Sequence, residues 1–451
     1  MSQQLLLQLL NNPENFAREY IRHPPEFLYN DPQTCCLLRN DDKESQTCPG
    51  VNHGYLGRRG KVGVPYLVEV NDETLILKTS QPGQLSLIYR EKPPSSIRSF
   101  EETIRQAPTR CGFPDISDLR YLGADEFTNE MLIGIILTSF IKNWNEQTRN
   151  NFYPLVEYIA SSVCLDNNPG LPITSSRPIG IHLMEFANLG TLIDLSKSPE
   201  TEQYRQVSKV YDPSSEYREN ITIEVVKVEV IFQVIRQVIA SLHLIQNEFD
   251  FNHGDLKIAN IFVSSQPAEG EYEGLDISAP FTCKVADYGK SSLTIETEKG
   301  PCRIYNRSWL ADRYLNLNPF TPLINIERVG FIGEPFFIIQ GLLTVHLYTR
   351  TRHMGIPFYL AFDTYSFLIS LLLIPGFYYS FFNTPQLVEK IWNPLWFGRD
   401  AALMQQAILD FLDDPKKAQS ISTVLDLLKG VRLRCNATNI LLNNLRQVEG
   451  I

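Results

Sequence analysis

Cysteine is scarce in this chain. The eight in 451 residues stand at 35, 36, 48, 111, 164, 283, 302 and 435, with no C-x-x-C pair. That pattern excludes a disulfide scaffold and offers no zinc motif, so the thiols read as reduced and the protein as intracellular, in the cytoplasm. Positive charge is short as well. Lys and Arg number 41 against 51 Asp and Glu, a formal net charge of −10. With no long basic stripe, this excludes a nucleic-acid partner recognised through its phosphates. The opening run MSQQLLLQLLNNPENF has neither a basic start nor a full apolar core, so it is not read as a secretory peptide. Repeats and extended low-complexity tracts are missing too. The most apolar run, SFLISLLLIPGFYYSFF at 366–382, is seventeen residues long, contains Pro375 and follows Asp363. That is the short limit for crossing a bilayer, so the run is expected to be a buried helix and no membrane span is expected.

What is present is apolar material in quantity: 43% hydrophobic against 20% charged residues, enough for a large core. Residues 1–50 read as an extension, with a short helix around the leucines at 5, 6, 7, 9 and 10 and a stretch rich in Pro, Asn and Asp after it. YLVEV (66–70) and TLILK (74–78) flank Asn71-Asp72-Glu73, the pattern of a β-hairpin. A polar connection through Pro93-Pro94 follows. The spacing of Phe127, Met131, Ile135 and of Leu132, Ile136, Phe140 predicts a helix from about 125 to 142. GIHLMEF (180–186) reads as a strand, and 196–222 as a polar surface insertion. Ile231, Val234, Ile235, Val238, Leu242 and Ile245 mark one face of a long amphipathic helix. Two short strands follow, at 261–263 and 284–286, and mostly helix from about 325 onward. Strands early and helices late predict an α+β chain with two lobes.

Chemistry concentrates in His253-Gly254-Asp255-Leu256-Lys257-Ile258-Ala259-Asn260, between the long helix and a strand. A tightly wound loop would bring together a carboxylate to accept a hydroxyl proton, an ammonium for phosphate and an amide oxygen for a divalent ion. That is the minimum set for phosphoryl transfer, where positioning and charge neutralisation dominate. Downstream, the strand Lys284-Val285-Ala286 ends in Asp287-Tyr288-Gly289-Lys290. Upstream, Lys78 ends an apolar strand and Glu130 lies on a helix that could face it.

In this order the motifs resemble those of the protein kinase superfamily. HGDLKIAN is similar to the catalytic loop H-R-D-L-K-x-x-N, ADYG to the D-F-G magnesium motif, and LILK to the V-A-I-K strand. The resemblance implies a bilobal kinase-like fold: an N-terminal extension (1–50), a strand-rich N-lobe with insertions (51–187) and a mainly helical C-lobe with insertions (188–451). It implies Asp255 as catalytic base and Lys257 as the cation steadying the transferred phosphate. Asn260 and Asp287 become metal ligands, and Lys78, paired with Glu130, contacts the α- and β-phosphates. Glu126 is a weaker rival for that pairing. HLMEFANLGTL (182–192) is similar to the hinge, which makes Met184 the gatekeeper and gives adenine to the backbones of Glu185 and Ala187. Gly60 and Gly63 fall on two glycines of the phosphate loop, with Arg58 at the place of a third. TRHMGIPFYLAFDTYSFLISLL (351–372) resembles the end of the activation segment and the buried helix after it. Asp363 then takes the place of the aspartate that braces the catalytic loop. Three departures stand out: the glycine spacing, Gly254 in place of Arg, and the lack of an A-P-E motif. ATP with Mg²⁺ or Mn²⁺ and a protein acceptor, serine or threonine, are the implied ligands; no oligomeric state follows. A small-molecule phosphotransferase of the kinase-like superfamily, whose members often carry H-G-D, and a pseudokinase scaffold are the alternatives.

Overall fold

A computed structural model of the chain describes residues 11–22, 54–55, 63–70, 73–80, 87–92, 119–148, 150–164, 179–211, 220–307, 361–372, 374–398, 402–403, 432–434 and 436–448. The first element, helix α1 (Pro13–Arg22), was not expected from hydrophobic periodicity. Its start follows from end chemistry instead. The Asn12 side chain accepts a hydrogen bond from the Asn15 N–H at 3.2 Å, with Pro13 and Glu14 in the first turn. Phe16 and Ala17 sink into the main core beside Leu87, so this part of the extension packs on the body of the protein. The helix expected around Leu5–Leu10 lies outside the described residues.

The hairpin at 66–78 forms as expected. Strands β1 (Gly63–Val70) and β2 (Glu73–Ser80) pair antiparallel, with Pro65 opposite Lys78 and Tyr66 opposite Leu77. Alternation sends Val68, Leu75 and Leu77 into a small core with Ile181 and Leu183, which leaves Lys78 on the other face. Strands β3 (Leu87–Arg90) and β4 (Arg120–Ala124) lead into helix α2 (Glu126–Thr148), which runs past the expected end at 142. Strands β5 (Tyr158–Cys164) and β6 (Ile179–Glu185) complete a five-stranded sheet in the order Gly54–Tyr55, β1, β2, β6, β5.

The polar stretch at 196–222 is more ordered than its composition suggests. A 3-10 turn (Pro199–Tyr204) feeds an antiparallel ribbon of β7 (Arg205–Tyr211) and β8 (Asn220–Val226). Helix α3 (Val228–Phe249) follows, and all six residues of its predicted apolar face are buried. It is the one helix among the described residues long and apolar enough to cross a membrane, and 72% of its most apolar window is buried in this fold. Strands β9 (Ile261–Ser264) and β10 (Thr282–Val285) pair antiparallel.

Beyond the DYG turn the chain departs from the expected order of strands first and helices later. Strands β11 (Ser292–Ile295) and β12 (Cys302–Asn306) join β4 and β3 in a four-stranded sheet ordered β11-β12-β4-β3, with β12 parallel to β4. The strand that enters α2 is thereby tied to the segment leaving the DYG turn. The apolar run at 366–382 is two helices rather than one, α4 (Ala361–Leu372) and α5 (Pro375–Phe382), bent by 98°. Pro375 has no N–H for the preceding turn and restricts the residue before it, so the helix restarts there. Helix α6 (Ala437–Arg446) packs on α3. The result is an α+β, kinase-like architecture. Cys283 and Cys302 are buried free thiols, but Cys164 is disulfide-bonded, which corrects the expectation of reduced thiols throughout. Such a bond depends on an approach of two Cα atoms to about 6 Å, which only the tertiary fold sets.

Candidate active site

Lys78 Nζ leaves the inner face of β2 and reaches two carboxylates at once, Glu130 Oε1 at 2.6 Å and Asp287 Oδ1 at 2.9 Å. Residues 52 and 209 positions away in sequence thus meet at one ammonium. Helix α2 presents Glu130, and its Oε1 also accepts from the Tyr158 hydroxyl at 2.6 Å. The rival, Glu126, does not pair with Lys78. It lies against Gly289, where an added Cβ would meet Glu126 Cγ at 2.8 Å, so glycine is needed for that approach. Burial pulls the Lys78 ammonium down, but the Asp287 and Glu130 carboxylates outweigh it and its pKa ends above the ordinary lysine value. For Asp287 burial pushes up, and Lys78 more than reverses this, so the carboxyl ends well below its usual range.

His182 stands opposite Lys78 on β6. It is fully buried, stacks on Phe127 with ring centroids 4.4 Å apart, and shares a 2.8 Å hydrogen bond between Nδ1 and Ser161 Oγ. Its Nε2 is 3.7 Å from Glu130 Oε2. Burial lowers its pKa to about 4 despite that carboxylate, so the ring is neutral at pH 7 and leaves Glu130 to Lys78.

The DYG turn is held by its neighbours. Asp287 adopts φ 68° and ψ 65°, a left-handed conformation that costs a non-glycine residue about 1–2 kcal/mol and here accompanies the Asp287–Lys78 contact. Asn129, next to Glu130 on α2, shares its Nδ2 among the carbonyls of Tyr288, Gly289 and Ser291 at 3.2, 3.1 and 2.8 Å. Asn306 on β12 adds a second donor to Gly289 O at 2.5 Å. One helix therefore carries both the partner of Lys78 and the clamp on the DYG turn.

The HGD loop is braced from below. Asp363 on α4 is buried and accepts from the backbone N–H of His253 at 2.6 Å, that of Gly254 at 3.0 Å and Asn252 Nδ2 at 3.2 Å. Gly254 has φ 75°, open to glycine without strain. His253, neutral because burial lowers its pKa, donates from Nε2 to Ala286 O at 2.9 Å and so joins this loop to the strand before DYG. Asp255 Oδ2 accepts from Lys257 Nζ and from Lys290 Nζ, each at 2.9 Å. Burial pushes the Asp255 carboxyl up, but the two ammoniums together pull it below the usual carboxylate value. Asn260 Nδ2 donates to Asp255 O at 2.9 Å, which turns the amide oxygen away from that backbone.

No group of three or more His, Cys, Asp or Glu that could hold a metal exists among the described residues. The donor chemistry still suits Mg²⁺. Asp287 and Asn260 offer hard oxygens, and that ion characteristically takes one or two protein oxygens and fills its shell with water and phosphate. In the stretch expected to be the hinge, Met184 is buried next to the C-terminal end of β6. The Glu185 N–H donates to Glu157 O at 3.1 Å, and Ala187 O accepts from Gly190 at 3.2 Å. The Glu185 side chain turns to the buried Lys284, at 2.9 and 3.0 Å. Gly60 and the basic residues around it lie outside the described residues, and Gly63 opens β1. Of the groups that sequence reasoning missed, Tyr158, His182 and Asn129 carry no local signal. Lys290 did: it directly follows the DYG turn.

No family model matches the chain. Similar curated proteins include one named "putative serine/threonine-protein kinase" in Acanthamoeba polyphaga mimivirus, 24% identical over 403 residues that cover 76% of this chain and 54% of the relative. Another, named "probable serine/threonine-protein kinase" in Dictyostelium discoideum, is 27% identical over 163 residues, 33% of this chain and 11% of the relative. The chain thus spans about half the length of the first relative and far less of the second. Sequence and architecture agree on a kinase-like chain.

Proposed function

We propose that this chain is an ATP-dependent protein kinase that transfers the γ-phosphate to a serine or threonine hydroxyl of a protein. The observation that carries the reading is the opposite polarity of two clusters in one cleft. Lys78 with Glu130 and Asp287 leaves one negative charge in excess, and Asp255 with Lys257 and Lys290 leaves one positive charge in excess. A nucleotide–metal complex fits that order: the cation at Asp287 and Asn260, the phosphates toward the lysines. A divalent ion bound there would supply charge neutralisation of the β- and γ-phosphates. The chain's own groups do the rest. Lys78 binds the α- and β-phosphates, with Glu130 and Tyr158 fixing its position. The backbones of Glu185 and Ala187 hold adenine beside Met184. Gly60 and Gly63 let the loop approach the phosphates closely. Lys257 steadies the phosphoryl group in transfer, and Asp255 orients the acceptor hydroxyl and takes its proton.

The test is a thermal shift with ATP and Mg²⁺ or Mn²⁺, followed by transfer of labelled γ-phosphate to generic protein acceptors. A ligand bound only by the native state at a hundredfold excess over its Kd adds about 2.7 kcal/mol of stability, so the midpoint rises by a few degrees. Absence of any shift at millimolar ATP with either metal sinks the reading in favour of a scaffold. Label moving to an aminoglycoside but to no protein overturns the acceptor class while keeping the chemistry.

A further inference from the structure

Lys290 occupies a place that simple charge pairing does not require. Asp255 already has a partner in Lys257, and the second ammonium lands on the same oxygen, Oδ2, at the same 2.9 Å. As a source of stability this second contact counts for little. The Lys290 side chain is 38% exposed, and ion pairs open to water contribute about 0–1 kcal/mol while ordering a long side chain. Yet the backbone on both sides of Lys290 is held by side-chain hydrogen bonds from three separate residues. Gly289 O accepts from Asn129 and Asn306, Ser291 O accepts from Asn129, and Ser291 Oγ donates to His253 O at 3.0 Å. Lys290 is thus mounted between a clamp from α2 and a bond to the residue two before Asp255. Burial of Ser291 and of the Asn129 side chain keeps that mount dry.

The two lysines differ in what else they are asked to do. In the phosphotransferase reading, on which this inference rests, Lys257 turns to the phosphoryl group once nucleotide is bound and lets go of Asp255. We propose that Lys290 is a positioning residue that holds Asp255 through Oδ2 during transfer, so that Oδ1 faces the acceptor hydroxyl. In the step itself the acceptor oxygen bonds to the γ-phosphorus, the bond from that phosphorus to the β,γ-bridging oxygen breaks, and ADP leaves. The hydroxyl proton passes to Asp255. A carboxylate freed of both lysines would rotate, and a misplacement of about 1 Å in such a site costs up to about a hundredfold in rate.

The experiment uses the full chain and water as acceptor, so no protein substrate need be known. Release of labelled phosphate from ATP with Mg²⁺ is measured for the unaltered chain, Lys290→Met, Lys290→Arg, Asp255→Asn and the double variant Asp255→Asn/Lys290→Met. Thermal midpoints confirm folding. The expected result is a fall in kcat of about ten- to a hundredfold for Lys290→Met, with KM for ATP unchanged within about twofold. Lys290→Arg should recover most of the rate, and Lys290→Met should add nothing once Asp255 is already Asn, because a residue acting only through another has no effect after that other is removed. Unchanged kcat in Lys290→Met overturns the proposal, as does a raised KM with kcat intact, or a further loss in the double variant. If the unaltered chain shows the ATP-induced shift but transfers phosphate neither to water nor to generic protein acceptors, the phosphotransferase reading itself falls, and this proposal with it.

Discussion

Around Lys78 one ammonium serves two carboxylates; around Asp255 one carboxylate serves two ammoniums. The charges mirror each other, but the surroundings do not. Glu130 is 4% exposed, sits under Tyr158 and belongs to a helix buried on most sides. Lys257 and Lys290 are 26% and 38% exposed and reach Asp255 from flexible stems. The first cluster is anchored on a dry carboxylate, Glu130, although the Asp287 side chain is 43% exposed, so its loss must be felt by the fold through Glu130. In the second it is the lysines that stand open to water, around an Asp255 only 12% exposed, and its loss should be felt by chemistry. The same interaction type, a lysine–carboxylate bond of 2.6 to 2.9 Å, therefore serves two purposes that only the environment separates.

That contrast can be broken most sharply at Asp255. Asp255→Asn keeps the shape and removes the proton acceptor, so phosphate transfer should fall by about 10²–10⁴-fold while the ATP-induced thermal shift persists. Full turnover in a folded variant would remove Asp255 from the mechanism. Next comes Lys78→Met, which strands the buried Glu130 without its cation. Breaking a buried pair costs about 3–5 kcal/mol, read as a lowered denaturation midpoint together with loss of the nucleotide shift; a variant as stable as the parent would show that this cluster is no more structural than the other.

The buried side of the Lys78 cluster should also announce itself in acid. His182 titrates near 4 in the fold because of burial, against an ordinary 6.5 when unfolded. The unfolded chain then binds more protons between those values, so stability falls as pH falls through that window, by about 3 kcal/mol at pH 4. Glu130, the carboxylate facing the ring, works against this shift, and His253 titrates in the same sense. Denaturation midpoints of His182→Gln followed from pH 7 to 4 should therefore decline less steeply than the parent's, and parallel curves would contradict the assignment. The smallest effect is expected from Lys257→Met. It should lower turnover but change stability by no more than about 1 kcal/mol, and a loss as large as that of Lys78→Met would erase the distinction between the clusters.

Much of the site could be read locally. Asp255, Lys257 and Asn260 lie within six residues, so one tight loop settles their neighbourhood, and the apolar faces of α3 and β2 follow from simple periodicity. The bracing role expected of Asp363 matches its three hydrogen bonds to the loop. The helix at Pro13–Arg22 was not read from the sequence, because its signal is cap chemistry at Asn12-Pro13-Glu14 rather than hydrophobic spacing. The ribbon of β7 and β8 was missed although Ile221, Ile223 and Val225 alternate with Thr222 and Glu224 in β8. The polar residues before it masked the signal, and the ribbon is tied to α5 where Ser380 Oγ donates to Val226 O.

The sequence by itself determined the order of the chemical groups and the elements that carry them, since helix and strand periods are properties of neighbours a few residues apart. Only the tertiary structure decided which distant groups meet. It chose Glu130 over Glu126 for Lys78, because Glu126, one turn earlier on the same face of α2, lies about 6 Å further along the axis and meets Gly289 instead. It brought Lys290 to Asp255, and it joined β12 to β4 in a parallel pair whose members stand about 180 residues apart. Contacts of that kind require long loops to close before they are rewarded, and no local pattern records where such a loop will end.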